Sequence, residues 1–226
     1  MTQLDWACVR LVVFDVDGTL YRQRQLRLRM ALQLLMHTAL KRDPKTVSVL
    51  ARYRRVRERL GNEQVINFEH MLITQTAAAT GVSPDEVRSV VLEWIERKPL
   101  QYLAACRYPG LSQLFVGLRR SGKTIGVLSD YPAKAKLDAL GLSADYVVSA
   151  ADEGIGLLKP HPRGLEFLMA TAGVEPQETV VVGDRVDRDG LAAQRAGARA
   201  LIRSSRPIGG WQVFARYDDA LFGPFI

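Results

Sequence analysis

The 226-residue sequence predicts an α/β protein: a Rossmann-like, three-layer core on a parallel sheet, with an inserted all-helical domain. From residue 109 onward, short apolar segments alternate with segments of helical periodicity, which is typical of right-handed βαβ units. Between residues 22 and 104 the periodicity is helical throughout. We therefore expect a core of residues 1–21 and 105–226, and a helical cap domain of residues 22–104 inserted after the first strand.

The first expected strand covers residues 9–14, which read Val-Arg-Leu-Val-Val-Phe. A short and nearly continuous apolar run is typical of a parallel strand that is buried on both faces of its sheet. The run stops at Asp15, and Gly18 would let the chain turn sharply away. The strand therefore ends in a turn that carries two acids, Asp15 and Asp17.

Four helices are expected in the insertion. An apolar stripe marks the first, at Leu28, Leu32, Leu35 and Ala39. Asp43 and Pro44 have the pattern of an N-cap followed by proline at the first helical position. They would open a second helix with an apolar stripe that Gly61 could end, at Val49, Tyr53, Val56 and Leu60.

The third and fourth helices have clear end signals. The third is expected over residues 67–80 and is closed by Gly81. Ser83 and Glu86 form a capping-box pattern that opens the fourth, and Pro99 marks its stop. Its apolar residues would share one face, namely Val87, Val90, Val91, Trp94 and Ile95.

The remaining elements alternate along the second part of the chain. Strands are expected at 124–128, 145–149, 179–182 and 199–202, and helices at 111–118, 133–140, 162–172 and 191–196. The aromatic residues near the carboxyl terminus are expected to pack this tail onto the core, and they are Trp211, Phe214, Tyr217, Phe222 and Phe225.

Composition sets the broad class of protein. The chain is 47% hydrophobic and 24% charged, which is ordinary for a globular protein. No apolar run approaches the ~18 residues of a membrane-spanning helix, and the amino terminus does not resemble a signal peptide. Cys8 and Cys106 are far apart in sequence and indicate buried thiols in a reducing compartment, so we expect a cytoplasmic protein.

Polar residues follow several of the expected strands. Asp15 and Asp17 are two positions apart, so an extended backbone points both to one side. Ser129 follows the second strand, Lys159 precedes a helix, and Asp184 follows the fourth strand. Because parallel strands present their carboxyl ends at one crevice, we expect these side chains to meet there. Paired carboxylates repel each other unless a cation compensates them, and oxygen ligands suit Mg²⁺.

In order and spacing these residues resemble the haloacid dehalogenase superfamily of phosphohydrolases. The quoted motifs are Asp15-Val16-Asp17-Gly18-Thr19, Val127-Leu128-Ser129-Asp130, Lys159-Pro160 and Val182-Gly183-Asp184-Arg185-Val186-Asp187-Arg188-Asp189. The resemblance extends over about 120 residues of core, and the helical insertion lies where the first cap class of that family has its cap. It implies a phosphatase of the phosphoglycolate-phosphatase type.

The resemblance also implies residue roles. Asp15 would attack phosphorus and form an aspartyl-phosphate, and Asp17 would act as general acid and then as general base. The side chains implied to bind the phosphoryl group are Ser129, Asp130 and Lys159. Mg²⁺ would be held by the Asp15 carboxylate, the Asp17 backbone carbonyl and Asp184. Asp189 would ligate the metal or orient Lys159, and it is favoured over Asp187 as the second acid of the last motif.

The substrate is expected to be a small phosphorylated metabolite, and Arg22 and Arg24 are candidates for contacting a second anionic group on it. A phosphomutase of the same fold is the alternative enzyme, and dehalogenase chemistry fits an acidic Asp17 less well. The chain has a net charge of +7, and one helix carries Arg52, Arg55 and Arg59 on a single face. A solvated surface is the favoured interpretation of that face. Substrate selection in the crevice remains open, and so does a non-catalytic protein that binds nucleic acid or another protein.

Overall fold

The computed structural model describes residues 4–41 and 44–226. The expected N-cap residue Asp43 lies outside these ranges. The architecture is α/β, as the sequence predicts, with a parallel sheet between layers of helices.

The sheet has six strands in the order β3-β2-β1-β4-β5-β6, and all neighbouring strands are parallel. The strands are β1 Leu11–Phe14, β2 Thr124–Ser129, β3 Tyr146–Ser149, β4 Thr179–Gly183, β5 Arg199–Arg203 and β6 Gln212–Phe214. Phe14 at the end of β1 lies opposite Val127 on one side and Val182 on the other. The strand order reverses at β1, which is where open α/β sheets form their ligand crevice.

The helices of the described ranges are α1 Gln23–Lys41, α2 Lys45–Asn62, α3 Phe68–Thr80, α4 Pro84–Val91, α5 Leu100–Cys106, α6 Leu111–Arg120, α7 Lys134–Leu140, α8 Arg163–Ala172 and α9 Leu191–Arg195. Two π-helical turns interrupt this series. Leu92–Arg97 continues directly from α4, and Val186–Gly190 directly precedes α9. Within the described ranges, no helix is both long and apolar enough to cross a membrane.

The core of the molecule lies on both faces of the sheet. Alternate side chains of β1 point in opposite directions, so Val12 and Phe14 pack under α6 and α7, whereas Leu11 and Val13 pack under α8 and α9. Every residue of β1 is buried. This burial explains why the strand reads as a continuous apolar run.

The helical insertion, defined here as residues 23–97, forms a separate apolar cluster together with Ala150 and Leu158 of the core. Val49, Tyr53, Val56 and Leu60 of α2 form part of it, as their spacing predicts. Two end signals of its helices are confirmed, whereas the expected end at Gly61 is wrong, because α2 continues through Gly61 to Asn62. Ser83 Oγ accepts a hydrogen bond from the backbone N–H of Glu86 at 3.1 Å, and Gly81 ends α3 with φ of +67°. The predicted cap boundary at residue 104 falls inside α5, and Leu103 of α5 packs into the main core.

The apolar stripe of α1 faces solvent instead of the core. Leu28, Leu32 and Leu35 are 74%, 62% and 68% exposed. Leu26 is buried instead, and Met30 and Leu34 are half-buried along the same line. Spacing identifies which residues share a face of a helix, but it does not tell which of two apolar faces is covered.

Two other expectations need correction. The strand at 199–203 is not the last, because β6 follows it at the edge of the sheet; only three residues form this strand, which gives little periodicity. Cys8 is exposed rather than buried, while Cys106 is buried, and both are free thiols. The expected packing of the tail is confirmed for Phe214, Tyr217, Phe222 and Phe225, and Trp211 is half-buried.

Candidate active site

Asp15 lies at the carboxyl end of the central strand. Its backbone N–H donates to the Val182 carbonyl at 2.9 Å, which continues the ladder between β1 and β4 by one residue. The residue is 7% exposed. Its Oδ1 accepts from Lys159 Nζ at 2.6 Å and its Oδ2 accepts from Thr19 Oγ1 at 2.8 Å. The sheet and two hydrogen bonds therefore fix the direction of this carboxylate.

Three carboxylates gather at this point. One oxygen each from Asp15, Asp184 and Asp189 lies within 4.8 Å of the other two. Burial raises the pKa of Asp15 well above its ordinary value; Lys159 opposes that rise, and Asp189 and Asp184 add to it. Burial, followed by the charge of Asp189, raises the pKa of Asp184 to about 6. The group therefore carries more negative charge than its surroundings compensate.

The donor set fits a divalent cation. Asp184 Oδ1 is buried and has no hydrogen-bond partner, which is costly for a carboxylate oxygen. Three converging carboxylates with one unsatisfied oxygen match the all-oxygen environment that Mg²⁺ prefers. Burial and then the charge of Asp189 raise the pKa of Asp184, and a cation held by these residues would offset that repulsion.

Two glycines allow the acids to approach each other. Gly18 has φ of +101°, and a Cβ built on it would lie 2.8 Å from Asp184 Cγ and closer still to Oδ2. A Cβ on Gly183 would collide with the side chain of Asp189. Positive φ and these close approaches both require glycine. Glycine is therefore needed in the turn after β1 and at the end of β4, because Asp184 and Asp189 pack directly against these positions.

Lys159 joins the separate parts of the site. Its Nζ donates to Asp15 Oδ1 and Asp189 Oδ1, each at 2.6 Å, and to the Leu128 carbonyl at 3.2 Å. Burial alone would lower the pKa of Lys159, but the charges of Asp15 and Asp189 outweigh it and raise this pKa well above its ordinary value. The backbone N–H of Lys159 donates to Asp130 Oδ1 at 2.9 Å. Thus the side chain of Asp130 holds the lysine segment in place, and any contact with phosphate would fall to its backbone N–H.

Asp187 and Asp189, the two candidates for the second acid of the last motif, lie in different environments. Asp189 is 2% exposed, and its Oδ2 accepts from the backbone N–H groups of Asp184 and Arg185 at 3.1 and 3.0 Å. The side chain of Asp187 is 63% exposed and pairs with Arg185 at 2.6 Å. The structure therefore brings Asp189 to the site and leaves Asp187 on the surface. With both oxygens hydrogen-bonded, Asp189 is well placed to orient Lys159.

Asp17 faces a lysine that the sequence reasoning missed. Lys136 on α7 is 5% exposed, and its Nζ donates to Oδ1 and Oδ2 of Asp17 at 2.6 and 2.7 Å. The hydroxyl of Tyr21 also donates to Asp17. Burial would raise the pKa of Asp17, but Lys136 and the hydrogen bonds lower it below its ordinary value. Asp17 is therefore ionised here, and both of its carboxylate oxygens are occupied by Lys136.

The other predicted site residues lie at different distances from this centre. Ser129 ends β2 and is buried, and its Oγ accepts from the backbone N–H of Tyr131 at 3.2 Å. Arg22 and Arg24 are exposed and do not line the cavity above Asp15. Arg22 instead lies over the ring of Tyr108, at 5.4 Å from its centroid.

A cavity of about 600 Å³ lies between the acids and the helical insertion. Asp15, Asp17, Lys159 and Asp184 line one side. The insertion supplies a largely apolar wall, which includes Leu26, Met30, Leu34, Leu50, Trp94 and Ile95. Volumes of this size suit small-molecule sites.

The insertion is tied to the core at the edge of this cavity. Glu58 on α2 accepts from Arg185 Nη1 at 2.7 Å and from Arg188 Nη2 at 2.6 Å. Arg188 is buried and also donates to the Lys159 carbonyl at 2.6 Å. This polar latch, defined as Glu58, Arg185 and Arg188, connects the insertion to the loop that carries Asp184.

Comparison of the sequence with known proteins identifies the family. The family model for haloacid dehalogenase-like hydrolases matches residues 9–197. A glyceraldehyde 3-phosphate phosphatase from Methanopyrus kandleri is 30% identical over 84% of this chain and 81% of its own length. Phosphoglycolate phosphatase 1 from Pseudomonas aeruginosa is 27% identical over 84% of this chain and 67% of its own length.

A solved structure shows the same fold. The 2-haloacid dehalogenase from Pseudomonas syringae superposes with a TM-score of 0.64 at 23% identity, covering 92% of this chain and 95% of that one. With the strand-end acids, the buried lysine and a family match over most of its length, the chain belongs to the haloacid dehalogenase-like hydrolases.

Proposed function

We propose that this protein is a Mg²⁺-dependent phosphatase that hydrolyses a small phosphorylated metabolite through an aspartyl-phosphate on Asp15. The observation that carries this proposal is the contact of Lys159 with both Asp15 and Asp189, beside Asp184, at the floor of a ligand-sized cavity. A nucleophile, a cation and a metal-type acid cluster thus share one position.

The reaction follows from what these residues can do. An oxygen of Asp15 attacks phosphorus, the bond to the leaving oxygen breaks, and a proton from Asp17 neutralises that oxygen. In the second step, the Asp17 carboxylate takes a proton from water, and the water oxygen attacks the phosphorus of the aspartyl-phosphate. The bond from phosphorus to the Asp15 oxygen breaks, which releases inorganic phosphate and restores the Asp15 carboxylate. Lys159, together with Ser129, would stabilise the negative charge on the phosphoryl oxygens. Because Lys136 holds Asp17 ionised, Asp17 has to separate from this lysine and take up a proton before it can act as general acid.

The carboxylates of Asp15 and Asp184 and the backbone carbonyl of Asp17 would hold Mg²⁺, with Asp189 beside them. Bound Mg²⁺ would supply positive charge against the phosphoryl oxygens and reduce their repulsion with the acids. Without metal, the only cation in direct contact with Asp15 among the described residues is Lys159. The repulsion between phosphate and carboxylate would then be largely uncompensated.

The relatives narrow the class of substrate. Their names refer to glyceraldehyde 3-phosphate and to phosphoglycolate, which are both phosphate monoesters of very small molecules. We infer a substrate of similar size for this chain, enclosed by the helical insertion. The polar latch supports this role, since it holds the insertion over the site.

The test compares Asp15→Asn with Asp187→Asn, a matched acid that lies on the surface. Hydrolysis of p-nitrophenyl phosphate is measured with Mg²⁺, and again with a chelator in excess. We expect Asp15→Asn and chelated wild type to lose turnover, and Asp187→Asn to retain it. Retained turnover in Asp15→Asn would refute the assignment of the nucleophile. Transfer of phosphate to a second hydroxyl, without release of inorganic phosphate, would indicate a phosphomutase instead.

A further inference from the structure

Arg57 on α2 is a buried cation that no carboxylate contacts directly, although the charge of Asp130 lies near enough to act on it. It is 7% exposed and lines the cavity. Three other basic side chains are buried in the described part of the chain, and each contacts a carboxylate: Lys136 meets Asp17, Lys159 meets Asp15, and Arg188 meets Glu58. Among the described residues, no ion pair involves Arg57.

Aromatic rings surround Arg57. Its guanidinium carbon lies 4.1 Å from the ring centroid of Tyr131 and 5.0 Å from that of Phe68. Nη1 donates to the hydroxyl of Tyr53 at 3.2 Å, while Nε is buried without a partner. Ring stacking positions the guanidinium, but one neutral acceptor leaves most of its five donors unused.

Arg188 provides a direct comparison inside the same cavity. It is equally buried, and its donors meet the Glu58 carboxylate, the Asn62 side chain and two backbone carbonyls. A buried cation is stable when it is paired and hydrogen-bonded in this way, and costly when it is not. The missing partner of Arg57 therefore points to an anion that reaches it from the cavity.

The location of Arg57 connects it to the reacting centre. The ring centroid of Tyr131, which stacks on Arg57, lies 5.1 Å from Lys136 Nζ. Lys136 in turn forms an ion pair with Asp17. Arg57 and Asp15 line one cavity, from the side of the insertion and the side of the sheet respectively. A molecule whose phosphate rests on Asp15 and Lys159 can thus extend toward Arg57 along the apolar wall.

We propose that Arg57 binds a second anionic group of the substrate, a carboxylate, so that the preferred substrates are phosphate esters of small carboxylic acids. This inference rests on the phosphatase function proposed above and names its substrate class. The planar fork of a single guanidinium matches one singly charged carboxylate through paired hydrogen bonds. The exposed Arg22 and Arg24 do not line the cavity, so this role is assigned to Arg57 instead.

The experiment measures kcat/KM for phosphoglycolate and ethyl phosphate, which differ by the carboxylate, and for p-nitrophenyl phosphate. The variants are Arg57→Gln and Arg57→Lys, and the matched control is Arg55→Gln, an exposed arginine on the same helix that does not line the cavity. Loss of a charge-assisted hydrogen bond predicts a drop of about 10- to 100-fold on phosphoglycolate in Arg57→Gln. For ethyl phosphate and p-nitrophenyl phosphate, which have no carboxylate, kcat/KM in Arg57→Gln should change by less than about threefold. Arg57→Lys should recover part of the loss on phosphoglycolate.

Two results would overturn the proposal. Equal losses on all three substrates in Arg57→Gln, with a lower melting temperature, would make Arg57 a structural residue. If Arg57→Gln keeps the wild-type preference for phosphoglycolate over ethyl phosphate, the carboxylate assignment is excluded.

A binding measurement separates this inference from the phosphatase proposal. Calorimetric binding of phosphoglycolate to Asp15→Asn protein requires no turnover. If wild type hydrolyses no phosphate ester, the proposed function fails, yet weaker binding in the Asp15→Asn, Arg57→Gln double variant would still support the anion site. Equal binding with and without Arg57 would reject the site, whatever the activity.

Discussion

Gly18→Ala provides a sharp test of the geometry at the acid cluster. The added Cβ would lie 2.8 Å from Asp184 Cγ, whereas carbon atoms in ordinary contact are about 3.5–4.0 Å apart. The carboxylate of Asp184 would have to retreat by roughly 0.7 Å or more from its position in the acid cluster. Displacements near 1 Å at a reacting centre can cost about 10²-fold in rate, or roughly 2.7 kcal/mol of transition-state stabilisation.

Gly122→Ala is the matched control for backbone strain. Gly122 also has a positive φ, +69°, but a Cβ there would meet nothing within 4 Å. Both substitutions should lower the free energy of unfolding by about 1–2 kcal/mol because of the left-handed backbone. The clash with Asp184 occurs in Gly18→Ala alone.

The assay combines steady-state hydrolysis of p-nitrophenyl phosphate over a Mg²⁺ titration with urea unfolding of each variant. Gly18→Ala should lose about 10²-fold in kcat/KM and need more Mg²⁺, while Gly122→Ala keeps wild-type kinetics. If the two variants show the same activity, the reaction does not depend on the position of Asp184 beside Gly18.

Three further predictions follow from buried or bridging contacts. Lys136→Met should lower the free energy of unfolding in urea by about 3–5 kcal/mol, because it leaves Asp17 buried without its ion pair. The control is Lys134→Met, which should show no such loss because the Lys134 side chain is 79% exposed. Tyr217→Phe removes the 2.7 Å hydrogen bond from the Tyr217 hydroxyl to the Thr19 carbonyl and should cost about 1–3 kcal/mol in the same assay; an unchanged midpoint would show that this bond does not brace the turn after β1. Glu58→Gln weakens the polar latch, so KM should rise by no more than about fivefold, whereas Glu63→Gln should match wild type. The hydrogen bond from Arg185 lowers the pKa of Glu58 below its ordinary 4.5, so the latch is at full strength above about pH 4.5 and weakens as pH falls through the lower folded value. The KM difference between wild type and Glu58→Gln should therefore shrink in acid, and a difference that grows in acid would contradict this assignment.

The sheet and the acids could be predicted because the sequence signals were local. A buried parallel strand is apolar along its whole length, so β1 and the acids that follow it are evident from residues 9–19. The spacing of Asp184 and Asp189 is also local, since a π-helical turn at 186–190 returns Asp189 toward the end of β4. These motifs carry their geometry within a few residues.

The remaining contacts depend on tertiary placement and leave little trace in the sequence. Lys136 is separated from Asp17 by more than half the chain, and nothing near either residue identifies the other as its partner. Arg57 looks like its neighbours Arg54 and Arg55, and only burial beside Tyr131 distinguishes it. The prediction that the stripe at Leu28 faces the core is wrong for the same reason. A second row of apolar side chains on α1 lines the cavity instead.

A rapid acid quench of the protein during turnover, followed by peptide mass spectrometry, tests whether Asp15 becomes phosphorylated. We expect one phosphoryl group on the peptide that contains Asp15, present only when Mg²⁺ is supplied and absent from Asp15→Asn. A phosphoryl group on any other residue, or rapid phosphate release with Asp15 unmodified and unnecessary, would contradict this expectation.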